Sequence, residues 1–303
     1  MDHREFLASL TAAQRRELTR KSDGRGLMQL ALHLGLIGLI AALIVARVPL
    51  WPLLMLPQGI VLVFLFTLLH EASHETPFRS RWLNTAAAHV SGLVILLPPR
   101  WFRYFHFAHH RHTQIPGKDP ELAEPKPEGW ADYIRYVSGI PVWISHVRTL
   151  VRNAAGRCAD DFVPVGKRQA VRNEARTMLA VYSLLLAGSI AFASPVLVFV
   201  WLLPMLLGQP FLRLYLLAEH GRCAHVANML ENSRTTFTTA AVRRLAWNMP
   251  YHAEHHSYPA VPFHRLPDLH KLTAQHLRVT EKGYGRFHAR YAPDMHGGAE
   301  AAK

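Results

Sequence analysis

Apolar residues run in long, almost unbroken blocks along this chain, rather than in the alternation of a half-buried strand or the single stripe of a soluble helix. The blocks at 27–46 ("LMQLALHLGLIGLIAALIVA") and 50–69 ("LWPLLMLPQGIVLVFLFTLL") each reach twenty residues. About twenty residues at a rise of ~1.5 Å match the ~30 Å hydrocarbon core of a bilayer. A third block, 178–217, is twice that length and breaks near Ser194 and Pro195. The pattern predicts four spanning helices in two hairpins. The stretch at 86–99 ("AAAHVSGLVILLPP") is too short to span and predicts an interfacial or re-entrant helix.

The expected fold is therefore an all-α integral membrane protein: four transmembrane helices in two hairpins, interfacial helices, and a cytoplasmic helical cap. One domain fills 1–303, divided into an N-terminal segment (1–26), first hairpin and interfacial helix (27–99), cytoplasmic region (100–176), second hairpin (177–217), cap (218–292) and tail (293–303). No internal repeat or low-complexity tract interrupts it, only a turn-rich stretch at 115–129 ("IPGKDPELAEPKPEG"). The first apolar block follows "RRELTRKSDGRG" with no small-residue cleavage site behind it, so a cleaved signal peptide is not expected.

Charge orients the hairpins. Of 303 residues, 50% are hydrophobic and 18% charged, with a formal net charge of +13. Lys and Arg crowd the chain before residue 27, between 100 and 176, and after 221, whereas the connections near Arg47–Trp51 and Ser194 carry little charge. Positive residues stay inside, so both termini are expected in the cytoplasm, with a bacterial inner membrane as the setting. The excess charge suits anionic lipid head groups; nucleic acid is not an expected partner, because no separable basic module exists. Only two cysteines occur, Cys158 and Cys223, which excludes a disulfide framework, a CxxC pair and an iron–sulfur module.

The chemistry lies in the histidines, 20 in all. "HEASH" (70–74) spaces two of them four apart, and "HFAHH" (106–110) and "HAEHH" (252–256) space three at i, i+3 and i+4. Each segment can present its imidazoles on one helical face. Crowded empty imidazoles would be partly protonated and mutually repulsive, and a metal resolves the crowding. Eight are too many for one zinc, which takes about four ligands. Two redox-active ions fit the count.

The three boxes, HX3H at 70–74, HX2HH at 106–110 and HX2HH at 252–256, resemble those of the membrane-bound fatty acid desaturase superfamily, and within it the bacterial and sphingolipid-type desaturases. The resemblance runs from about 27 to 270 and implies a non-haem di-iron centre. Carried over residue by residue, it names His70, His74, His106, His109, His110, His252, His255 and His256 as iron ligands. A ninth histidine follows the last span in such proteins; "LAEHGRCAH" offers His220 and His225, and its "AEH" context favours His220. Glu71 and Glu254 are then expected to orient the imidazoles, and Asn248, one turn before His252, to support the ligands or hold water. O2 is the implied co-substrate, with electrons from an external ferredoxin, rubredoxin or cytochrome b5-type carrier. The implied activity is desaturation of an acyl or lipid-like chain; the alternatives are a hydroxylase or ketolase acting on a lipid, carotenoid, alkane or small molecule.

"HEASH" also satisfies HExxH, the zinc-protease signature with Glu71 as general base, but that reading leaves six clustered histidines unused. A metal carrier would place its ligands along the spans, not at one end of them. His33 and His89 read as packed or interfacial residues, His112 as a neighbour of the ligands, and His264 and His270 as parts of the cap. Trp82, Trp101 and Trp247 read as an aromatic belt at the membrane surface.

Overall fold

The computed structural model describes residues 1–292; the expected tail, 293–303, lies outside them. Two short helices, α1 (His3–Ser9) and α2 (Ala12–Leu18), open the chain, and each starts in a capping box, Asp2 with Glu5 and Thr11 with Gln14. There follow α3 (Asp23–Val45), α4 (Trp51–Val63), α5 (Leu65–Ser73), α6 (Arg81–Val94), α7 (Pro99–His112), α8 (Trp130–Val137), α9 (Ile140–Ala154), α10 (Arg168–Ala191) and α11 (Leu203–His220). The C-terminal part holds α12 (Met229–Asn232), α13 (Ala240–Leu245), α14 (His252–Ser257), α15 (Leu266–Thr273) and α16 (Tyr284–Tyr291). Two short strands, β1 (Thr235–Thr236) and β2 (Thr280–Glu281), pair in parallel with Thr235 opposite Thr280.

Three helical stretches, Ala12–Val45, Trp51–Ser73 and Val198–His220, are long and apolar enough to cross a membrane. The sequence pattern predicts four. The remaining candidate, α10, has 24 residues, but its first turns carry Arg168, Arg172, Glu174 and Arg176. These charges dilute the apolar stretch, although Leu184, Leu186 and Ile190 at its far end are exposed. The block at 50–69 divides at Phe64, with Pro57 inside α4, so the first histidine box ends a separate helix, α5. Residues 86–99 are shared between the second half of α6 and the turn into α7.

The spans pack through their smallest residues. A Cβ on Gly59 would lie 1.9 Å from the Pro204 carbonyl oxygen, and one on Gly208 would lie 2.2 Å from the Gly59 carbonyl carbon. α4 and α11 therefore touch backbone to backbone, as membrane helices do where glycines meet. Gln58 Nε2 donates to the Val200 carbonyl at 3.1 Å beside this contact.

His33 is a satisfied core histidine. Trp247 Nε1 donates to His33 Nδ1 at 3.1 Å, so His33 Nε2 carries the proton and donates to the Val61 carbonyl at 2.9 Å. Trp247 is fully buried, which corrects its reading as part of a surface aromatic belt. It fills the core with Phe78, Leu69, Met249 and Leu266 beneath the third box. Trp82 is 70% exposed, while Trp101 is part-buried and donates to Asp160. His89 faces Glu174 at 3.2 Å, tying α6 to α10.

Candidate metal centre

Four helices bring their ends to one place. His70 lies in the last turn of α5 and His74 caps it; His106, His109 and His110 occupy the last turns of α7; His220 is the final residue of α11; His252, His255 and His256 lie on α14. α5, α7 and α11 all arrive by their C-termini, where unpaired carbonyls carry partial negative charge and favour a cation. Left-handed backbone at Glu75 and Gln114 turns the chain away just past the first two boxes.

The imidazoles fall into two groups. His70, His74, His106, His110 and His255 form one, and His109, His220 and His256 the other, with ligand atoms inside each group no more than 4.8 Å apart. His252 joins the second group, its Nε2 standing 2.9 Å from His220 Nε2. Other close pairs are His70 and His255 at 2.7 Å, His74 and His106 at 2.8 Å, and His109 and His220 at 3.2 Å, each between Nε2 atoms. Nitrogens sharing one metal at bonds of about 2.0–2.1 Å and angles of about 90–110° stand about 2.9–3.4 Å apart.

Hydrogen bonds on the outer nitrogens fix which one is free to bind. His109 Nδ1 meets Asp119 Oδ1 at 2.9 Å and His220 Nδ1 meets the Asn232 carbonyl at 3.0 Å, while His252 Nδ1 faces Glu219 Oε1 at 3.2 Å without a hydrogen bond. Thr113 spends its hydroxyl proton on the His109 carbonyl, so its oxygen accepts from His256 Nδ1 at 3.2 Å. In His220 and His256 the proton sits on Nδ1 and the Nε2 lone pair points inward. In the first group His255 Nδ1 faces Glu71 Oε1 at 3.6 Å. His110 has no hydrogen-bond partner on either ring nitrogen, and His256 Nε2 has none. Converging ring nitrogens, several of them buried without a hydrogen-bond partner, fit two metal ions.

Electrostatics agree. Burial first, then the neighbouring imidazoles, hold His106, His110, His252, His255 and His256 well below the ordinary histidine value, which leaves them neutral. His109 moves the other way. Burial opposes its charge, but Glu121 and Asp119 outweigh that penalty and raise it. Glu121 is likewise held well below the usual carboxylate range despite burial, by Lys126 and His109.

Several other expected residues lie elsewhere. His225 is exposed, whereas His220 is 2% exposed and inside the second group. His112 belongs to neither group. Glu254 turns away from the imidazole groups, engaging His270 Nδ1 and Thr235 Oγ1. Asn248 adopts left-handed backbone and donates its side-chain amide to the Phe263 carbonyl at 3.0 Å. Glu71 is fully buried and accepts from Thr76 Oγ1 at 2.9 Å and the Phe263 amide at 3.1 Å, a poor setting for the water-activating base of an HExxH protease. Asp119, Glu121 and Glu219, which surround the second group, have no counterpart in the sequence reading. The acidic run in "GKDPELAE" was the available signal.

A cavity of about 420 Å3 opens onto the centre, with an apolar part formed by Phe66, Leu97, Phe102, Phe105, Leu212 and Leu216, a charged part that includes Glu121, Lys126, Arg152, Asp160 and Arg213, and His70, His106, His109, His220 and His252 in its lining. The apolar part suits the hydrocarbon of a ligand. The family model described as "Fatty acid desaturase" matches residues 46–288, which include every box histidine. The chain belongs to this family. It is 29% identical over 92 residues to a fatty acid conjugase of Calendula officinalis, a segment covering 30% of this chain and 24% of that protein. It is 33% identical over 63 residues, 21% of this chain and 18% of the relative, to an sn-1 acyl-lipid omega-3 desaturase (ferredoxin) of Nostoc sp. (strain 36). The longest of these matches, 23% identity over 193 residues, is to a bifunctional fatty acid conjugase/Delta(12)-oleate desaturase of Punica granatum and covers 57% of this chain and 49% of that protein. The chain thus spans about half or less of the length of these relatives.

Proposed function

We propose that the protein is a membrane di-iron oxidoreductase that removes hydrogen from an unactivated C–H bond and introduces a double bond into an acyl or lipid-like chain. The observation that carries this reading is the pair of imidazole groups beside a cavity with an apolar, largely aromatic wall. Bound irons supply O2 activation and the oxidising power for the C–H bond. His70, His74, His106, His110 and His255 would hold one ion and His109, His220, His252 and His256 the other. Asp119, Thr113 and the Asn232 carbonyl orient the rings of the second set through their outer nitrogens, and Glu219 stands beside His252. Phe66, Phe102 and Phe105 exclude water and align the chain beside the metals. Histidine and apolar walls suit the hydrocarbon part of a chain, whose C–H bonds offer a zinc ion nothing to polarise.

In this reading α10 is the fourth span, pairing with α11 as the second hairpin, while the boxes and both flanking basic regions face the cytoplasm of a bacterial inner membrane. Electrons come from an external carrier; the surplus of positive charge suits an acidic ferredoxin, rubredoxin or cytochrome b5-type protein. The family membership and the ferredoxin named in one relative support both points. The test is expression in a host membrane followed by mass spectrometry of total lipid chains. A new unsaturated species with the parent, absent with His256→Ala, is expected; lipid profiles identical between the two contradict the assignment.

A further inference from the structure

The cavity beside the imidazole groups has a charged part that the proposed chemistry does not use. Two of its cations are already paired, Lys126 with Glu121 and Arg152 with Asp160. Arg213 is not. Among the described residues no carboxylate or hydrogen-bond acceptor engages it; its guanidinium lies over the Tyr136 ring, with Cζ 4.0 Å from the centroid. That contact uses the charge and leaves the fork of N–H donors without an oxygen to bind. Arg213 is also the only Lys or Arg in the apolar stretch Val198–His220. A cation kept in such a stretch without a counter-charge is costly, and where it lines a cavity it points to a ligand.

The helix α11 sets the geometry. Gln209, Arg213, Leu216 and His220 follow one another at intervals of three or four residues and all line the cavity, so one helical face carries them. Arg213 precedes His220 by two turns, about 10 Å at ~1.5 Å per residue, with Leu216 between them. A cation thus stands at one end of an apolar passage and the imidazole groups at the other. A second polar group accompanies Arg213. His146 of α9 lines the same cavity, and its Nδ1 is buried with no hydrogen-bond partner. Burial holds His146 down to about 4 and the charge of Arg213 adds to the effect, so the two are electrostatic neighbours.

We infer that Arg213 is an anion-binding subsite: the cavity takes a chain that ends in a carboxylate or a phosphate, holds that anion on Arg213, and lays the hydrocarbon past Leu216 towards the imidazole groups. The inference rests on the proposed reaction for calling that ligand the substrate, and it names the substrate's polar end. The planar fork of an arginine matches two oxygens of either anion, and the Tyr136 ring holds the fork in place. Because Arg213 and His220 stand a fixed two turns apart on one helix, the oxidised carbon is counted from the anionic end. A neutral chain leaves the guanidinium without its partner and binds less tightly.

The test is equilibrium binding of radiolabelled palmitate and dipalmitoyl phosphatidate to the iron-loaded protein in neutral detergent, with methyl palmitate and dipalmitoylglycerol as their uncharged counterparts and Arg213→Gln beside the parent. The parent is expected to bind at least one anion about 10–100-fold more tightly than its uncharged counterpart. Arg213→Gln should lose that preference while its affinity for the uncharged chains and its iron content stay those of the parent. Palmitate as the favoured anion identifies a free carboxylate, and phosphatidate a lipid head group. Should the glutamine variant not fold, Arg213→Lys keeps the charge but not the fork and must reduce the same ratio. Equal affinity of the parent for the charged and uncharged chains, or a preference that survives Arg213→Gln, overturns the inference. Binding is read without turnover, so a lipid profile unchanged by expression of the protein would contradict the proposed reaction while leaving Arg213 an anion site.

Discussion

Asp119 Oδ1 sits 2.9 Å from His109 Nδ1, and this one contact decides which nitrogen of His109 is available to a metal. The Asp119 side chain is 1% exposed and also accepts from the Gln114 amide at 2.8 Å, so it cannot turn away. Asp119→Asn keeps the shape but can present an N–H to His109 and reverse its tautomer. The expected outcome is a second iron bound about 10–100-fold less tightly, with the first unaffected. Iron per chain after dialysis against a graded chelator measures it; equal retention of both irons would contradict the role.

Glu254 offers the opposite case. It lies between two box histidines in sequence, yet its oxygens reach His270 and Thr235. Glu254→Gln is expected to lower stability by about 1–3 kcal/mol, the range for a buried hydrogen-bonded charge, and to leave iron content intact. Thermal unfolding and metal analysis on one preparation separate the two effects. Loss of iron at unchanged stability would return Glu254 to the metal site.

His220 and His225 differ by burial alone in any simple view of "EHGRCAH". His220→Ala should release the second iron, and His225→Ala should release neither, since that side chain is exposed. Iron counting on the two variants decides between them.

These cases show how much of the site was legible in the sequence. The boxes were visible because a helix turns i, i+3 and i+4 spacing into a shared face, and apolar blocks of twenty residues advertise spans by length alone. Asp119, Glu121 and Glu219 were not, because their approach depends on how the turn after α7 and the end of α11 fold back, which no local periodicity encodes. Trp247 was misplaced for a related reason: a tryptophan beside a box fits a membrane belt equally well until tertiary packing buries it and supplies His33 as its acceptor. α10 stands apart from the three clearly apolar stretches because its helix begins in charged residues before the apolar block does.

The Gly59–Gly208 contact gives a packing test away from the metals. Gly208→Ala puts a methyl 2.2 Å from the Gly59 carbonyl carbon, which backbone must yield to accommodate. Destabilisation of about 1–3 kcal/mol is expected, at or above the usual range for overpacking. An unfolding midpoint in detergent equal to that of the parent would show that α4 and α11 do not meet as described.

The central claim is that two ions share these histidines, and metal analysis of the purified, detergent-solubilised protein tests it most directly, with His70→Ala and His256→Ala beside the parent. Because His70 lies in the first group and His256 in the second, the account predicts about two irons per chain in the parent and a fall in each variant. A single zinc lost with His70→Ala and indifferent to His256→Ala would contradict it.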